Sequence, residues 1–408
     1  MQPQTFEIQL DKLAYGGDAM GRLDDGRAVF VPFGLPGERV RARLTEEKKN
    51  FARGELLEVL EPASIRISAK CRHFGECGGC HYQNLPYESQ LAAKTEILRD
   101  QLQRIGKIED PPVRPMVGCP NSWNYRNHVQ FHLTEDGSLG YVGANRNTII
   151  PIMECHLPEP SIDALWPQLE FEVDAPFERV SIRSGVDDDL MLILESDELG
   201  APELELEAGI SVVHLTEEDA LVMAGDDHLF MQILERRFHV SAGSFFQVNT
   251  AMAEKMVTHL LAKLTLPAKT ILDVYCGVGL FSAFLAPMCE RLIGIESSPS
   301  ACEDFAVNLD EFDHVELYEA AAEDVIPHLE AEQALVLLDP PRGGVGRRAL
   351  DGIRELKPQV IAYISCDPST LARDAARLIA GGYRLADVTP FDMFPQTYHI
   401  ESISLFEF

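Results

Sequence analysis

The chain from Leu260 onward alternates between short apolar runs and segments with helical periodicity. The runs predicted to form strands are Thr270–Tyr275, Arg291–Glu296, Val315–Tyr318, Ala334–Leu338 and Val360–Ser365. Such alternation of strands and helices predicts an α/β fold built on a doubly wound parallel sheet. Two later runs, Tyr383–Thr389 and His399–Phe408, predict a closing hairpin that adds antiparallel edge strands. Residues 250–408 are therefore expected to form one domain.

The first 62 residues have a different pattern, with short apolar or alternating runs separated by glycine turns. These runs are Thr5–Leu10, Ala28–Phe33, Glu38–Leu44 and Gly54–Leu60. Short strands with tight turns favour a small OB-like barrel, a fold that commonly binds oligonucleotides. Arg39, Arg41 and Arg43 recur at period two and so share one strand face. That face is either a phosphate-binding edge or an ordinary solvated strand face.

Residues 63–249 predict a middle α+β domain. Tyr87–Gly106 has the apolar spacing of a helix that ends at its glycine. The strand-like runs that follow are Tyr125–Leu133, Leu139–Val142, Val180–Arg183, Leu190–Leu194, Ile210–Leu215, Leu221–Met223 and Leu229–Leu234. The aromatic residues beside Arg126 are either core residues or a clamp for an unpaired nucleic-acid strand.

Charge and hydropathy restrict the compartment and the partners. The 408 residues carry a net charge of −30, which argues at first against a polyanionic partner. The acidity is regional, because Ile162–Val240 holds 20 acidic and 4 basic residues. Pro36–Arg53 instead holds 6 basic and 3 acidic residues. With neither a signal peptide nor a run of eighteen apolar residues, we expect a cytoplasmic monomer without a membrane partner.

Three cysteines lie within ten residues, and a fourth follows far downstream. They are Cys71, Cys77 and Cys80, among glycines, and the remote Cys155. Four thiolates suit either zinc or a [4Fe-4S] cluster. A zinc ribbon prefers two Cys-x-x-Cys pairs, whereas only Cys77 and Cys80 form one here, so the spacing favours the cluster. Cys119 competes with Cys155 for the fourth position.

The ends of the predicted parallel strands carry glycines and acidic residues. Gly277 and Gly279 follow the first strand, where they allow the backbone to approach a ligand. Glu296 ends the next strand, at the spacing of a carboxylate that binds ribose hydroxyls. Acidic residues also follow the third and fourth strands, including Asp339. Such carboxylates favour a nucleoside that bears a cation, which indicates S-adenosylmethionine, with a nicotinamide or nucleotide ligand as the alternative.

Cys366 stands in a Ser-Cys-Asp-Pro turn between the strand Val360–Ser365 and a predicted helix. The helix dipole favours the thiolate, which is the nucleophilic form of cysteine. The alternative is a small buried hydrophobic residue, the usual role of a cytosolic cysteine. The turn alone does not decide between these two roles.

Taken together, these motifs resemble those of the RNA uracil-5-methyltransferases that use S-adenosylmethionine. The resemblance covers nearly the whole chain, including a TRAM-like barrel and the four-cysteine set. Its motifs are FFQVN at Phe245–Asn249, DVYCGVG at Asp273–Gly279, DPPR at Asp339–Arg342, SCDP at Ser365–Pro368, TLARD at Thr370–Asp374 and MFPQTYHIE at Met393–Glu401.

The resemblance implies a set of roles for residues of this chain. Cys366 is the expected nucleophile, Glu401 the expected base, and Cys71, Cys77, Cys80 and Cys155 the expected ligands of a [4Fe-4S] cluster. The expected cofactor-binding positions are Gln247, Tyr275, Gly277, Gly279, Leu280, Glu296, Asp324 and Asp339. Two residues depart from the family pattern: Leu280 replaces a common Asn, and Asp367 replaces the more usual Asn after the nucleophile.

The implied reaction explains why a cysteine and a carboxylate are needed together. C5 of uracil is too weak a nucleophile to take a methyl group unaided. Addition of the Cys366 thiolate to C6 places negative charge at C5, which then attacks the methyl group. Glu401, expected to be ionised in a partly desolvated site, then removes the C5 proton. The cluster is expected to hold the fold and the RNA surface rather than to transfer electrons.

Members of the family with both barrel and cluster look most like those that modify 23S ribosomal RNA, whereas others modify transfer RNA. The DPPR turn also allows methylation of an exocyclic amine, a reaction that needs no cysteine. A third hypothesis is an RNA-binding chaperone whose methylase domain is vestigial.

Overall fold

The amino-terminal residues form a closed five-stranded barrel in the computed structural model, which describes residues 5–173, 175–196, 209–216, 219–329 and 334–408. Its strands are β1 (Thr5–Leu13), β2 (Ala19–Arg22), β3 (Ala28–Val31), β4 (Arg39–Glu47) and β5 (Phe51–Glu61). They close in the order β1-β2-β3-β5-β4. The predicted barrel is confirmed. Strand β2 was not predicted, because the glycine within it, Gly21, was interpreted as part of a turn.

The basic stripe of the barrel is paired with glutamates. Arg39 and Arg41 both donate to Glu7 on the neighbouring strand, at 2.8 and 3.1 Å. Arg43 pairs with Glu55. These arginines do share one face as predicted, but cross-strand pairing neutralises their charge. This face therefore does not present a simple row of free cations to phosphates.

The middle of the chain forms a helix, a mixed sheet and a hairpin. The helices are α1 (Tyr87–Arg104) and α2 (Pro160–Leu165). The strands are β6 (His128–Leu133), β7 (Leu139–Val142), β8 (Ile149–Pro151), β9 (Arg179–Ser184), β10 (Leu190–Glu195), β11 (Ser211–Leu215), β12 (Ala220–Ala224), β13 (His228–Ile233) and β14 (Arg236–Ser241). In the described residues, β6–β12 form one sheet in the order β12-β11-β10-β9-β6-β7-β8, and β13 pairs with β14. The α+β character is as predicted.

The carboxyl-terminal residues form the predicted doubly wound sheet. Its strands are β15 (Ala268–Val274), β16 (Cys289–Glu296), β17 (Val315–Glu319), β18 (Leu335–Leu338), β19 (Val360–Ser365), β20 (Arg384–Phe391) and β21 (Glu401–Glu407). The helices are α3 (Thr250–Lys263), α4 (Leu280–Leu285), α5 (Pro299–Asn308), α6 (Ala322–Val325), α7 (Arg347–Leu356) and α8 (Pro368–Ala380). The strand order is β17-β16-β15-β18-β19-β21-β20, and the first five strands are parallel. The closing hairpin inserts β21 antiparallel to β19.

The three regions share buried cores. One core joins the barrel, α1 and one face of the carboxyl-terminal sheet through residues such as Leu10, Leu98 and Leu371. A second core joins the opposite face to α3 and the β13–β14 hairpin. Helix α1 thus packs on the carboxyl-terminal sheet although it precedes the middle sheet in sequence. The boundaries at residues 62 and 249 stay predictions. Within the described ranges, no helix combines the length and apolar character needed to cross a membrane.

A buried ion pair fastens α1 to the segment before β21. The Lys94 ammonium donates to Asp392 Oδ1 at 2.6 Å and to the Phe394 carbonyl at 3.0 Å. Both charged side chains are fully buried. Burial lowers the pKa of Lys94, while Asp392 opposes that shift. Each of the two charges stabilises the other, because either one alone would be buried without an opposite charge.

Replacing Lys94 with Met leaves the Asp392 carboxylate buried without its cation. We expect a loss of about 3–5 kcal/mol in the free energy of unfolding. The measurement is denaturant unfolding at neutral pH. Lys12→Met is the matched control, because Lys12 pairs with Asp100 of the same helix at an exposed position, at 2.8 Å. Exposed pairs contribute less than about 1 kcal/mol. Equal losses in both variants would contradict the role of the buried pair.

Candidate active site

The candidate site lies at the carboxyl edge of the parallel sheet. Strands β15, β16, β18 and β19 are neighbours or near neighbours in that sheet, so their carboxyl ends meet at one edge. Tyr275, Glu296, Asp339 and Cys366 follow or end these strands. In open α/β sheets, ligands bind in the crevice at this edge.

The turn after β15 is shaped for close approach to a ligand. Gly277 has a φ of 54°, and a Cβ atom there would meet no atom within 4 Å. Its backbone N–H donates to Glu296 Oε2 at 3.0 Å. Gly279 has a φ of 87°, and a Cβ atom there would lie 2.4 Å from Leu309. Without a side chain, Gly277 leaves the loop backbone accessible to a ligand in the crevice. Gly279 is required because a side chain there would clash with Leu309.

Three carboxyl groups give this crevice a negative character. Burial, followed by the nearby Asp273 and Glu296, raises the pKa of Asp339 to about 7. Burial likewise raises the pKa of Asp273 to about 7, although Ser282 donates to it at 2.6 Å. Because like charges disfavour one another, a cationic ligand would stabilise the ionised forms. The donor set therefore fits the sulfonium nucleoside S-adenosylmethionine.

The turn that carries Cys366 is fixed by Asp367. Asp367 Oδ1 accepts from the backbone N–H groups of Ser369 at 2.8 Å and Thr370 at 3.0 Å, which caps the start of α8. Its Oδ2 accepts from the Tyr15 hydroxyl group at 2.8 Å. Burial alone would raise the pKa of Asp367, but these hydrogen bonds lower it. Asp367 therefore acts as an ionised cap beside the half-buried Cys366.

The register of β19 and β21 puts Cys366 beside Glu401. Ser365 pairs with Ser402, so Cys366 and Glu401 occupy the next positions on the two strands. Burial, then Glu401 and Asp339, raises the pKa of Cys366 to about 12, against a lowering by Arg342. Burial, then Asp339, raises the pKa of Glu401 well above its usual value. Burial and the neighbouring carboxyl groups thus favour a thiol and a neutral carboxyl group, in contrast to the expected thiolate and carboxylate.

The loop that contains Gln247 is held by the middle region. The buried Arg183 donates to the carbonyl groups of Ser241 at 2.9 Å and Ser244 at 2.8 Å. Asn127 donates through Nδ2 to the Gln247 carbonyl at 3.0 Å. These contacts leave Phe245, two residues before Gln247, 70% exposed. An exposed aromatic ring on a well-anchored loop is available for stacking on a base.

The four predicted ligand cysteines surround one cavity. Cys71, Cys77, Cys80 and Cys155 all line a cavity of about 330 Å³, together with Arg126. Burial raises the pKa of Cys80 to about 12 and that of Cys155 to about 11. Cys119 lies elsewhere, since it accepts from Asn249 Nδ2 at 3.3 Å near the start of α3. Among the described residues, no three cysteine sulfurs all lie within 4.8 Å of one another.

Two predicted cofactor positions make other contacts in the structure. Leu280 is buried in the core between α4 and the sheet. The Asp324 side chain is 68% exposed and pairs with Arg348 on α7 at 3.3 Å. Its neighbour Glu323 is the closer carboxyl group, because it helps to raise the pKa of Tyr275. The roles of Leu280 and Asp324 stay predictions.

Sequence reasoning missed three residues of the site. Arg342 influences Cys366 and Glu401 electrostatically, and its place in the DPPR motif was an available signal. Arg183 appears only as part of a strand in the sequence. Tyr15 lies 352 residues before its partner Asp367, and no local pattern marks it.

Comparisons with known proteins agree with this geometry. The family described as tRNA (Uracil-5-)-methyltransferase matches residues 207–407, and the TRAM domain family matches residues 1–57. A solved structure, the Pyrococcus abyssi tRNA (uracil-54, C5)-methyltransferase in complex with S-adenosyl-L-homocysteine, is similar with a TM-score of 0.75. It is 22% identical, and the similarity covers 98% of this chain and 100% of that one, which shows a shared fold.

Relatives with higher identity extend over the whole chain. An uncharacterized RNA methyltransferase of Aquifex aeolicus is 36% identical, covering 100% of this chain and 99% of the relative. One of Thermosynechococcus vestitus is 33% identical, covering 99% and 98%. With the barrel, the cofactor crevice and the motifs in place, the chain belongs to the family of S-adenosylmethionine-dependent RNA uracil-5-methyltransferases.

Proposed function

We propose that this protein methylates C5 of a specific uridine in RNA through a covalent bond between Cys366 and C6 of the base. The observation that carries the proposal is the pairing of β19 with β21, which sets Cys366 beside Glu401 at the cofactor crevice. S-adenosylmethionine, when bound, supplies an electrophilic methyl group on a sulfonium cation. A nucleophile and a base at adjacent positions are what the remaining chemistry requires.

The Cys366 thiolate forms the bond to C6, and the electrons of the C5–C6 double bond move toward the C4 carbonyl oxygen, which gives an enolate that is nucleophilic at C5. C5 then takes the methyl group as the bond from that methyl group to the sulfonium sulfur breaks, and the sulfur keeps the electrons of that bond as a neutral thioether. The adduct keeps its C5 proton. Glu401 in its carboxylate form accepts that proton, and the electrons of the C–H bond restore the double bond as the thiolate leaves. Arg342 supports these reaction steps, because it lowers the pKa of both Cys366 and Glu401 and so favours their ionised forms.

The raised pKa values of Cys366 and Glu401 support a mechanism in which ligand binding produces the ionised, reactive forms of these two groups. Burial and neighbouring carboxyl groups raise the pKa values of Cys366 and Glu401. A positive charge that enters the crevice lowers both, because an opposite charge within about 4–6 Å favours the ionised form. The thiolate is then formed mainly when the crevice is filled.

We favour 23S ribosomal RNA as the substrate, because the barrel and the four-cysteine set occur together in this chain. The alternative substrate is transfer RNA, which is favoured by the name of the matching family. For either RNA the target uridine must leave its stack to reach Cys366. The exposed Phe245 beside Gln247 offers a surface on which a flipped or neighbouring base can stack.

The proposal is tested by incubating the protein with methyl-labelled cofactor and separated ribosomal and transfer RNA, then mapping 5-methyluridine. We expect label at C5 of uridine in 23S ribosomal RNA. Cys366→Ala should abolish transfer while it keeps cofactor binding, because the thiol acts on the base and not on the nucleoside. Isothermal titration with S-adenosylhomocysteine checks that binding.

Other outcomes of this experiment discriminate the alternatives. Label in transfer RNA alone would replace the ribosomal substrate. Full activity of Cys366→Ala with label on an exocyclic nitrogen would indicate amine methylation. Cofactor binding without any transfer to total RNA would favour an RNA-binding protein with a vestigial domain.

Glu401→Gln should trap the covalent adduct between protein and RNA. Glutamine keeps the shape of the side chain but cannot accept the C5 proton, so release of the cysteine should slow by about 10²-fold or more. The adduct is measured as RNA-dependent retardation on a denaturing gel. The double variant Glu401→Gln/Cys366→Ala should form none. Normal turnover by Glu401→Gln would assign the base to another group.

We propose further that Cys71, Cys77, Cys80 and Cys155 hold a [4Fe-4S] cluster. The cavity of about 330 Å³ that these residues line supports this choice. A single tetrahedral zinc ion with Zn–S bonds of about 2.3 Å would bring its four sulfurs within about 3.8 Å of one another. No three of the described cysteine sulfurs all lie within 4.8 Å of one another, which favours a larger centre. Arg126 on the cavity wall would balance part of the thiolate charge.

Iron analysis of two serine variants tests the ligand set. Cys155→Ser should lose most of the roughly four irons and four sulfides per chain, because the fourth thiolate is removed. Cys119→Ser, which alters the rival cysteine outside the cavity, should keep them. Purification without oxygen and measurement of iron, sulfide and zinc give the result. One zinc per chain, or loss of iron only in Cys119→Ser, would contradict the proposal.

A further inference from the structure

The barrel reaches directly into the candidate active site. The turn between β1 and β2 is closed by a hydrogen bond from the Ala14 N–H to the Asp18 carbonyl at 2.9 Å. Tyr15 lies in this turn, and its hydroxyl group donates to Asp367 Oδ2 at 2.8 Å. Asp367 is the residue directly after Cys366. A residue of the barrel is thus hydrogen-bonded to the turn of the nucleophile.

Aromatic packing fixes the direction of Tyr15. Its ring meets Tyr398 edge-on, with ring centroids 5.8 Å apart. Tyr398 in turn contacts His81 at 4.6 Å, and His81 packs against Gly17 of the same barrel turn. A Cβ atom at Gly17 would lie 2.8 Å from the His81 ring, so only glycine permits this approach. The Tyr15 hydroxyl group therefore has a defined partner rather than a mobile position.

The two carboxylate oxygens of Asp367 accept hydrogen bonds from different groups. Oδ1 caps α8 through the N–H groups of Ser369 and Thr370. Oδ2 accepts from Tyr15. Burial raises the pKa of Tyr15 well above its ordinary value, so the hydroxyl group remains a donor at neutral pH. Asparagine at position 367 would still cap the helix, but it would place no full charge opposite the phenol.

We propose that Tyr15 is a positioning residue for methyl transfer: its hydroxyl group anchors Asp367, fixes the Cys366 turn and draws the negative charge of Asp367 away from the nucleophile. This inference rests on the proposed function of Cys366. The barrel then contributes to the reactivity of the nucleophile, besides any part that it has in RNA binding.

The charged groups around Cys366 define the expected electrostatic effect. Glu401 on β21, Asp339 after β18 and the adjacent Asp367 all disfavour the thiolate, whereas Arg342 favours it. Tyr15 faces Asp367 from the barrel. A hydrogen bond to an ionised carboxylate stabilises that charge and reduces its field at neighbouring groups. Loss of the Tyr15 hydroxyl group should therefore make the Cys366 thiolate harder to form.

The first measurement is the rate of Cys366 alkylation by iodoacetamide as a function of pH in the full chain. Cys366→Ala gives the background from other thiols. Tyr15→Phe should shift the profile upward by about 0.5–1 pH unit, which is about a three- to tenfold slower reaction at a fixed pH on the rising limb. Asp367→Asn should shift it downward. The double variant Tyr15→Phe/Asp367→Asn should match Asp367→Asn alone, since the charge on which Tyr15 acts is gone.

The second measurement is steady-state methyl transfer to RNA. Tyr15→Phe should lower kcat by about tenfold with a KM for RNA within about twofold of wild type, because positioning affects the reaction and not the encounter. Lys12→Met is the control, since Lys12 also ties the barrel to the rest of the chain, but through Asp100 on α1 rather than through Asp367. We expect Lys12→Met to leave kcat unchanged.

Three results would overturn the inference. These are an unshifted alkylation profile in Tyr15→Phe, additive effects in the double variant, and a rise in KM with unchanged kcat, which would make Tyr15 an RNA contact. Alkylation requires neither RNA nor methyl transfer. An inactive wild-type protein would therefore count against the proposed function, whereas a normal Tyr15→Phe profile would count against Tyr15 alone.

Discussion

The antiparallel pairing of β21 with β19 is the constraint on which the candidate site depends. The parallel strands end at the carboxyl edge of the sheet, whereas β21 runs in the opposite direction and begins at that edge. Glu401 is the first residue of β21. It therefore lies beside Cys366, which directly follows β19. A slip of one residue would turn Glu401 to the other face of the sheet. The buried side chains on both sides of this pair of strands fix the register.

The same location explains the electrostatic state of the site. The carboxyl edge collects Asp273, Asp339 and Glu401 in a space from which water is largely excluded. Each of these groups has a raised pKa, and so has Cys366. A cation that binds at this edge would favour the ionised forms of these groups.

The sequence was most informative where structure is local. The strand–helix alternation predicted the carboxyl-terminal sheet, and the SCDP turn predicted the end of β19, because periodicity and capping depend on near neighbours. It was least informative where distant residues meet. The glutamate partners of Arg39 and Arg43 lie across strands, and Tyr15 meets Asp367 over 352 positions. The raised pKa of Cys366 was likewise not predictable from the sequence, because burial is a property of the whole fold.

The segment before β21 joins all these parts. Its Gln396 carbonyl accepts from the N–H groups of His81 and Tyr82, next to the cysteine loop, at 2.8 and 3.0 Å. Lys94 of α1 holds Asp392, and Asn249 at the start of α3 donates to the Met393 carbonyl at 3.1 Å. Glu401, the base that we propose, thus follows a segment anchored at several points. Because Gln396 ties the cysteine loop directly to this segment, the position of Glu401 depends on how that loop is held.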